Sequence, residues 1–155
     1  MSDNVLSVIP ADPRWQPEPS RAEQARDLIA TLVPVDPGTV DPDIRISWHQ
    51  AITVIDCGAN LERITCPHCG TDIDTGWWAD LLEERCEAGF DDLSVVLPCC
   101  GRGSSLTDLT YDWPCGFARF EIEIWNPGRD WFTDAELAAV ATVIGHPVRQ
   151  VMAHI

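Results

Sequence analysis

The chain has no lysine, and all ten of its basic residues are arginines. That absence removes the lysine nucleophile, the Schiff base and the lysine of a phosphate-binding loop. Basic charge as a whole is scarce, with 10 arginines against 25 acidic residues and a formal net charge of −15. Such a balance repels nucleic-acid phosphates and anionic membranes and suits basic protein surfaces or cationic ligands, although it also serves solubility alone. No apolar run approaches the ~20 residues of a membrane span. The opening stretch from Met1 to Pro10 has no basic segment and only a short apolar one, so no secretory signal is expected. A Gly-x-Ser-x-Gly elbow, a His-Glu-x-x-His pair and a dinucleotide fingerprint are all missing.

What is present suits a cytoplasmic globular protein. The 155 residues, 45% of them hydrophobic, are enough for one domain with its own core. Without an export signal, the seven cysteines are better explained as thiols and metal ligands than as disulfides.

Both ends of the chain carry the same order of signals. Val5–Ile9 reads as a strand, followed by a proline-rich turn from Pro10 to Pro19. Ser20-Arg-Ala-Glu23 has the form of a capping box, and Ala22, Ala25, Leu28, Ile29 and Leu32 then recur at helical spacing, predicting a helix over 21–33. Pro34, Pro37 and Gly38 end it, and a strand follows over 44–56. Near the C-terminus Phe120, Ile122 and Ile124 alternate with Arg119, Glu121 and Glu123, the pattern of a half-buried strand. Thr133-Asp-Ala-Glu136 is a second capping box, opening a helix that Gly145 and Pro147 stop, and Val148–Ile155 supplies a last strand.

Two such units give an α+β fold in the β-α-β-β-α-β order of a ferredoxin-like sheet. Residues 57–113 read as a zinc-ribbon-like insertion within this single domain, 1–155. Inside the insertion a helix is expected over 77–88, with Asp80, Glu83, Glu84 and Glu87 forming an acidic stripe opposite Trp78, Leu81, Leu82 and Cys86. Leu93–Leu97 is a strand leading into Pro98-Cys-Cys-Gly101.

The chemistry-bearing motif is Cys66-Pro-His-Cys69-Gly70. Two residues between cysteines let both thiolates turn toward one ion, and the glycine accepts the backbone bend. In the second half Leu97 stands where a regular ribbon would have a cysteine. Cys100-Gly101 mirrors Cys69-Gly70, and Cys99 substitutes for the missing ligand. The expected set is therefore Cys66, Cys69, Cys99 and Cys100 around one structural Zn2+. Rival fourth ligands are His68, Cys86 and Cys115, an iron–sulfur site or reduced thiols are the alternatives to zinc, and Cys57 and Cys115 have no ligand-like neighbour in sequence.

Several stretches together, Ile55–Leu61, Cys66–Gly70, Pro98–Gly101, Ser105–Leu109, Gly116-Phe-Ala-Arg-Phe120 and Ala153–Ile155, resemble a group of small uncharacterised bacterial proteins with a CPxCG…PCCG zinc-ribbon-like segment and a GFARF strand. The resemblance implies a bacterial source and a metal segment that belongs to the whole domain; it brings no activity. Some members carry transporter-ATPase labels, which the missing Gly-x-x-x-x-Gly-Lys motif contradicts here.

Three functions are weighed. The first is a zinc-stabilised acidic module that binds another, basic protein, for instance as an immunity or antitoxin-type inhibitor or adaptor. The acidic stripe and seven tryptophans motivate it; Trp15 and Trp131 stand on turns and are the candidates for exposure, whereas Trp48, Trp78 and Trp125 read as core. The second is a nucleic-acid-associated zinc ribbon, but residues 57–105 hold nine acidic residues and three arginines, the wrong sign for phosphate. The third is an enzyme built from His49, Asp56, Asp112, Arg119, Cys115 or His154, although no spacing binds these into a catalytic set.

Overall fold

The computed structural model describes residues 3–34, 43–55, 61–86 and 92–154. In chain order its elements are β1 (Asn4–Pro10), α1 (Pro19–Leu32), β2 (Asp43–Ile55), β3 (Ile64–Thr65), β4 (Asp72–Ile73), α2 (Thr75–Cys86), β5 (Ser94–Val96), β6 (Gly103–Ser105), β7 (Thr110–Tyr111), β8 (Gly116–Trp125), α3 (Asp134–Ile144) and β9 (Val148–His154). The fold is α+β. Four long strands form one sheet in the order β2-β8-β1-β9, with every pairing antiparallel.

The period of two along each strand decides which side chains meet the helices. Leu6 and Val8 of β1, Phe120, Ile122 and Ile124 of β8 and Met152 of β9 pack in one cluster with Ala22, Ala25 and Ile29 of α1 and Val140 and Ile144 of α3. The register supports this layering, since Val8 and Ile46 both lie opposite Ile122 from either side. β2 is an edge strand, so its outer residues are only half covered. Trp48, read as core from the sequence, is accordingly 44% exposed, with one face against Phe120 at a centroid distance of 4.8 Å.

The two capping boxes have different fates. Thr133 caps α3 as expected: the Glu136 N–H donates to Thr133 Oγ1 at 3.1 Å, and the Thr133 N–H donates back to Glu136 Oε1 at 2.8 Å. At α1 the box is not formed. The helix begins at Pro19, with Glu18 as an N-cap that makes no side-chain bond. Proline at the first helical position has no N–H to satisfy and a φ already set for helix, so the start moves ahead of Ser20 and leaves Ser20 and Glu23 inside the first turns.

The insertion between β2 and β8 contains β3 to β7 and α2. Its pairs are short hairpins: β3 lies between β4 and β7, and β5 pairs with β6. The helix starts at Thr75, two residues before expectation, where the Gly76 N–H donates to Asp74 Oδ1 at 3.1 Å. The expected residues 87 and 88 lie outside the described residues, as do Cys57 and Asp56. A second core of Ile64, Ile73, Leu93, Val95, Leu97, Leu106, Leu109 and Phe117 fills the insertion. A third cluster, Ile9, Ile55, Cys115, Ala118 and Val151, joins it to the sheet, with Trp113 Nε1 donating to the Met152 carbonyl at 2.7 Å. No described helix is long and apolar enough to cross a membrane.

Candidate metal centre

The expected ligands sit at the tips of two hairpins. β3 runs into Cys66 and returns as β4, and β5 runs through Leu97 into Cys99 and Cys100 and returns as β6. The two turns have the same hydrogen-bond pattern. In the first, the Cys66 N–H donates to Thr71 O at 2.9 Å and the Gly70 N–H to Cys66 O at 3.1 Å. In the second, the Leu97 N–H donates to Arg102 O at 2.9 Å and the Gly101 N–H to Leu97 O at 2.9 Å. Gly70 and Gly101 both hold positive φ, +73° and +70°, with open space where a Cβ would be, so backbone conformation rather than crowding calls for glycine.

Matched residue by residue, Leu97 occupies the position of Cys66, Cys99 that of His68 and Cys100 that of Cys69. Leu97 is 1% exposed and Cys66 2%, and both belong to the core of the insertion. The second turn thus has a buried apolar anchor where the first has a buried thiol. Its missing thiol returns two residues later as Cys99, exposed like Cys69 and Cys100.

The four sulfurs converge. All lie within 4.8 Å of one another, with Cys66 Sγ 3.9 Å from Cys100 Sγ and Cys69 Sγ 3.5 Å from Cys99 Sγ. A tetrahedron with metal–sulfur bonds of about 2.3 Å has edges of about 3.8 Å, so the set is close enough to hold a metal ion. It is the only such group among the described residues. His68 is exposed and outside it, Cys115 is buried in the cluster beside Ile9, and the Cys86 side chain lies outside the described residues.

The thiols are electrostatically unequal. The hydroxyl and backbone N–H of Thr71 hold Cys69 down to about 6. Burial pushes Cys66 up, yet the N–H groups of Cys69 and His68, each 3.4 Å from its sulfur, outweigh that and leave it below the ordinary thiol value. Cys99 goes the other way, to about 12, through desolvation and its hydrogen bonds with Cys69 and Cys66. Four thiolates this close cannot all ionise without a cation among them, so metal uptake releases protons.

No family model matches the chain, and no curated protein or solved structure matches it. The functional reading therefore rests on the geometry of the site.

The remaining sequence candidates are dispersed. Asp80, Glu83 and Glu84 of α2 are exposed, as the stripe requires, and Glu87 lies outside the described residues. Trp15 and Trp131, expected at the surface, are half-buried: Trp15 stacks on His146 at 4.4 Å and Trp131 packs against Trp113 at 5.2 Å. Asp112 Oδ1 accepts the N–H groups of Glu62 and Arg63 at 3.2 and 3.0 Å, closing a loop of the insertion. Arg119 donates to the Gln50 carbonyl, and His154 pairs through its backbone with Asn4. His49 alone meets an acid, with Nε2 3.0 Å from Glu121 Oε1. Sequence alternation places Glu121 and Glu123 on the wet side of their strand, yet Glu121 is 9% exposed.

Proposed function

We propose that the chain is a zinc-stabilised acidic module that binds a basic bacterial protein, as an inhibitor of the immunity or antitoxin type or as an adaptor. The observation that carries this reading is the exposed trio Asp80, Glu83 and Glu84 on a helix of the insertion that also carries the four cysteines. Four thiolates complete a tetrahedral shell and leave no open position for substrate, which suits a structural ion and zinc in particular. The ion's work is then to tie together two hairpins whose strands are two or three residues long, too short to persist unaided. The strand order β2-β8-β1-β9, with α1 and α3 packed on one face, supports reading the sheet as ferredoxin-like with a zinc-ribbon-like insertion. The chain's net charge of −15 supplies long-range attraction toward a basic partner.

The test is affinity capture from bacterial lysate with the full chain and with a variant carrying Asp80→Asn, Glu83→Gln and Glu84→Gln. The expected result is a near-stoichiometric partner held at low salt, released at high salt and absent with the variant. Equal capture by both forms, or no partner at either salt, overturns the reading.

A further inference from the structure

On the sheet face away from α1 and α3, a cleft of about 230 Å³ lies over β8, next to β1, β9 and the end of β2. Its walls are Val5, Val54, Ile55 and Ala153, and its polar groups are Glu121, Glu123 and Ser7. None of these belongs to the four-cysteine centre.

Neither carboxylate of this cleft has an arginine ion pair among the described residues. Glu121 meets His49 Nε2 at 3.0 Å and lies beside Glu123, which accepts from Ser47 Oγ at 3.5 Å and from Trp125 Nε1 at 3.0 Å. Arg45, which lies opposite Glu123 in the sheet and over the Trp125 ring, attracts Glu123 at longer range but is hydrogen-bonded to both oxygens of Asp43 at 3.2 and 2.7 Å. An ionised carboxylate has about four acceptor positions, so both acids have lone pairs to spare. Burial, and after it the charge of Glu123, push the Glu121 carboxyl up from its ordinary value, a cost that a cation in the cleft would relieve.

Ser7 adds a third polar group to the cleft. It is 4% exposed and lines the cleft. Its hydroxyl can both donate and accept, and it lines the same space as the two acids. A divalent metal is a poor occupant, because His49, Glu121 and Glu123 do not bring three donor atoms together; among the described residues only the four cysteines do. The aliphatic walls favour an ion that carries an apolar stem.

We propose that this cleft binds an organic cation, an alkyl ammonium or guanidinium group, whose N–H donors engage Glu121, Glu123 and the Ser7 hydroxyl while its stem lies on Val5, Val54 and Ile55. The cation comes either from a free amine or from a lysine or arginine side chain of another protein, and the chemistry of recognition is the same.

The proposal is tested on metal-replete full-length protein by calorimetric titration and by amide and indole chemical-shift mapping. The probes are butylammonium and butylguanidinium, with butanol and butyrate as uncharged and anionic counterparts and a blocked Gly-Arg-Gly peptide as the protein-borne form. A cationic probe should bind saturably, one per chain, and shift the Trp125 indole and the Ser7 and Ala153 amides, while butanol and butyrate do neither. Glu121→Gln, which keeps the side-chain shape, should weaken binding at least tenfold, and Ala153→Leu should do the same by filling the cleft. Tighter binding of the peptide than of butylguanidinium assigns the cation to a protein partner; equal or weaker binding assigns it to a small molecule. Absence of saturable binding by all three cations, or shifts confined to the α2 acidic face, overturns the proposal. The shift map on the unaltered protein decides between these outcomes even if a variant fails to fold.

Discussion

Removing the ion should loosen the insertion first, and the size of the effect follows from mass action. An ion that binds the folded chain and not the unfolded one stabilises it by RT ln(1 + [L]/Kd), about 4 kcal/mol at a free concentration of 1,000 Kd. For a chain of 155 residues, each kcal/mol moves the melting temperature by about 2–4 °C, so full chelation should lower it by roughly 8–16 °C. Each tenfold change in free zinc is about 1.4 kcal/mol and hence about 3–6 °C. Cys66 is the ligand to remove, because it is buried between the two hairpins and receives two backbone N–H groups. Thermal melts in zinc buffers should give a straight rise with log free zinc for the native chain and a flat line for Cys66→Ala. Hydrogen exchange should show protection lost over 64–86 and 92–111 before it is lost in β1 and β8. Equal melting temperatures for the two proteins at every zinc level would refute the reasoning, since the four sulfurs would then be neighbours without a shared ion.

Other consequences concern the scaffold. Phe120 is among the largest fully buried side chains of the sheet–helix core, so Phe120→Ala should cost about 3–5 kcal/mol, read as a lower urea midpoint with an unchanged slope. At Gly116 an added Cβ would collide with Ile9 Cδ1 where sheet and insertion meet, and Gly116→Ala should destabilise by about 1–3 kcal/mol in the same assay. Arg129, donating to both oxygens of Glu136 at 2.8 and 2.6 Å, and then the Thr133 N–H hold the Glu136 carboxyl down to about 2. Its contribution is therefore complete above the ordinary value of 4.5 and is lost as the pH falls from there through about 2. Glu136→Gln should flatten the acid limb of stability against pH in that window, and an unchanged limb contradicts the assignment.

Legibility in the sequence followed the strength of local signals. The long strands and α3 stood out because alternation, a capping box and a terminal glycine agreed with one another. Cys66 and Cys69 were readable because the spacing is itself the chemistry, and Leu97 could be seen to break the pattern. Why Cys99 makes good the loss was visible only once the turns at Cys66 and Leu97 proved to share one hydrogen-bond pattern. The start of α1 was misplaced because Pro19 sets the first turn without a capping side chain. β3, β4 and β7 are two residues each, below any periodicity, and exist through their partners across the insertion. The cleft at Glu121 was invisible for a different reason. Alternation assigns a residue to a sheet face, but whether that face is covered depends on where Val54 and Ile55 of the bulged β2 come to lie.

The most direct test of the metal centre is elemental analysis joined to X-ray absorption at the zinc edge, on protein purified without chelator. The expected result is about one zinc per chain with four sulfur neighbours at about 2.3 Å. Zinc far below one equivalent, or a shell with nitrogen or oxygen in place of sulfur, would contradict a site made by Cys66, Cys69, Cys99 and Cys100.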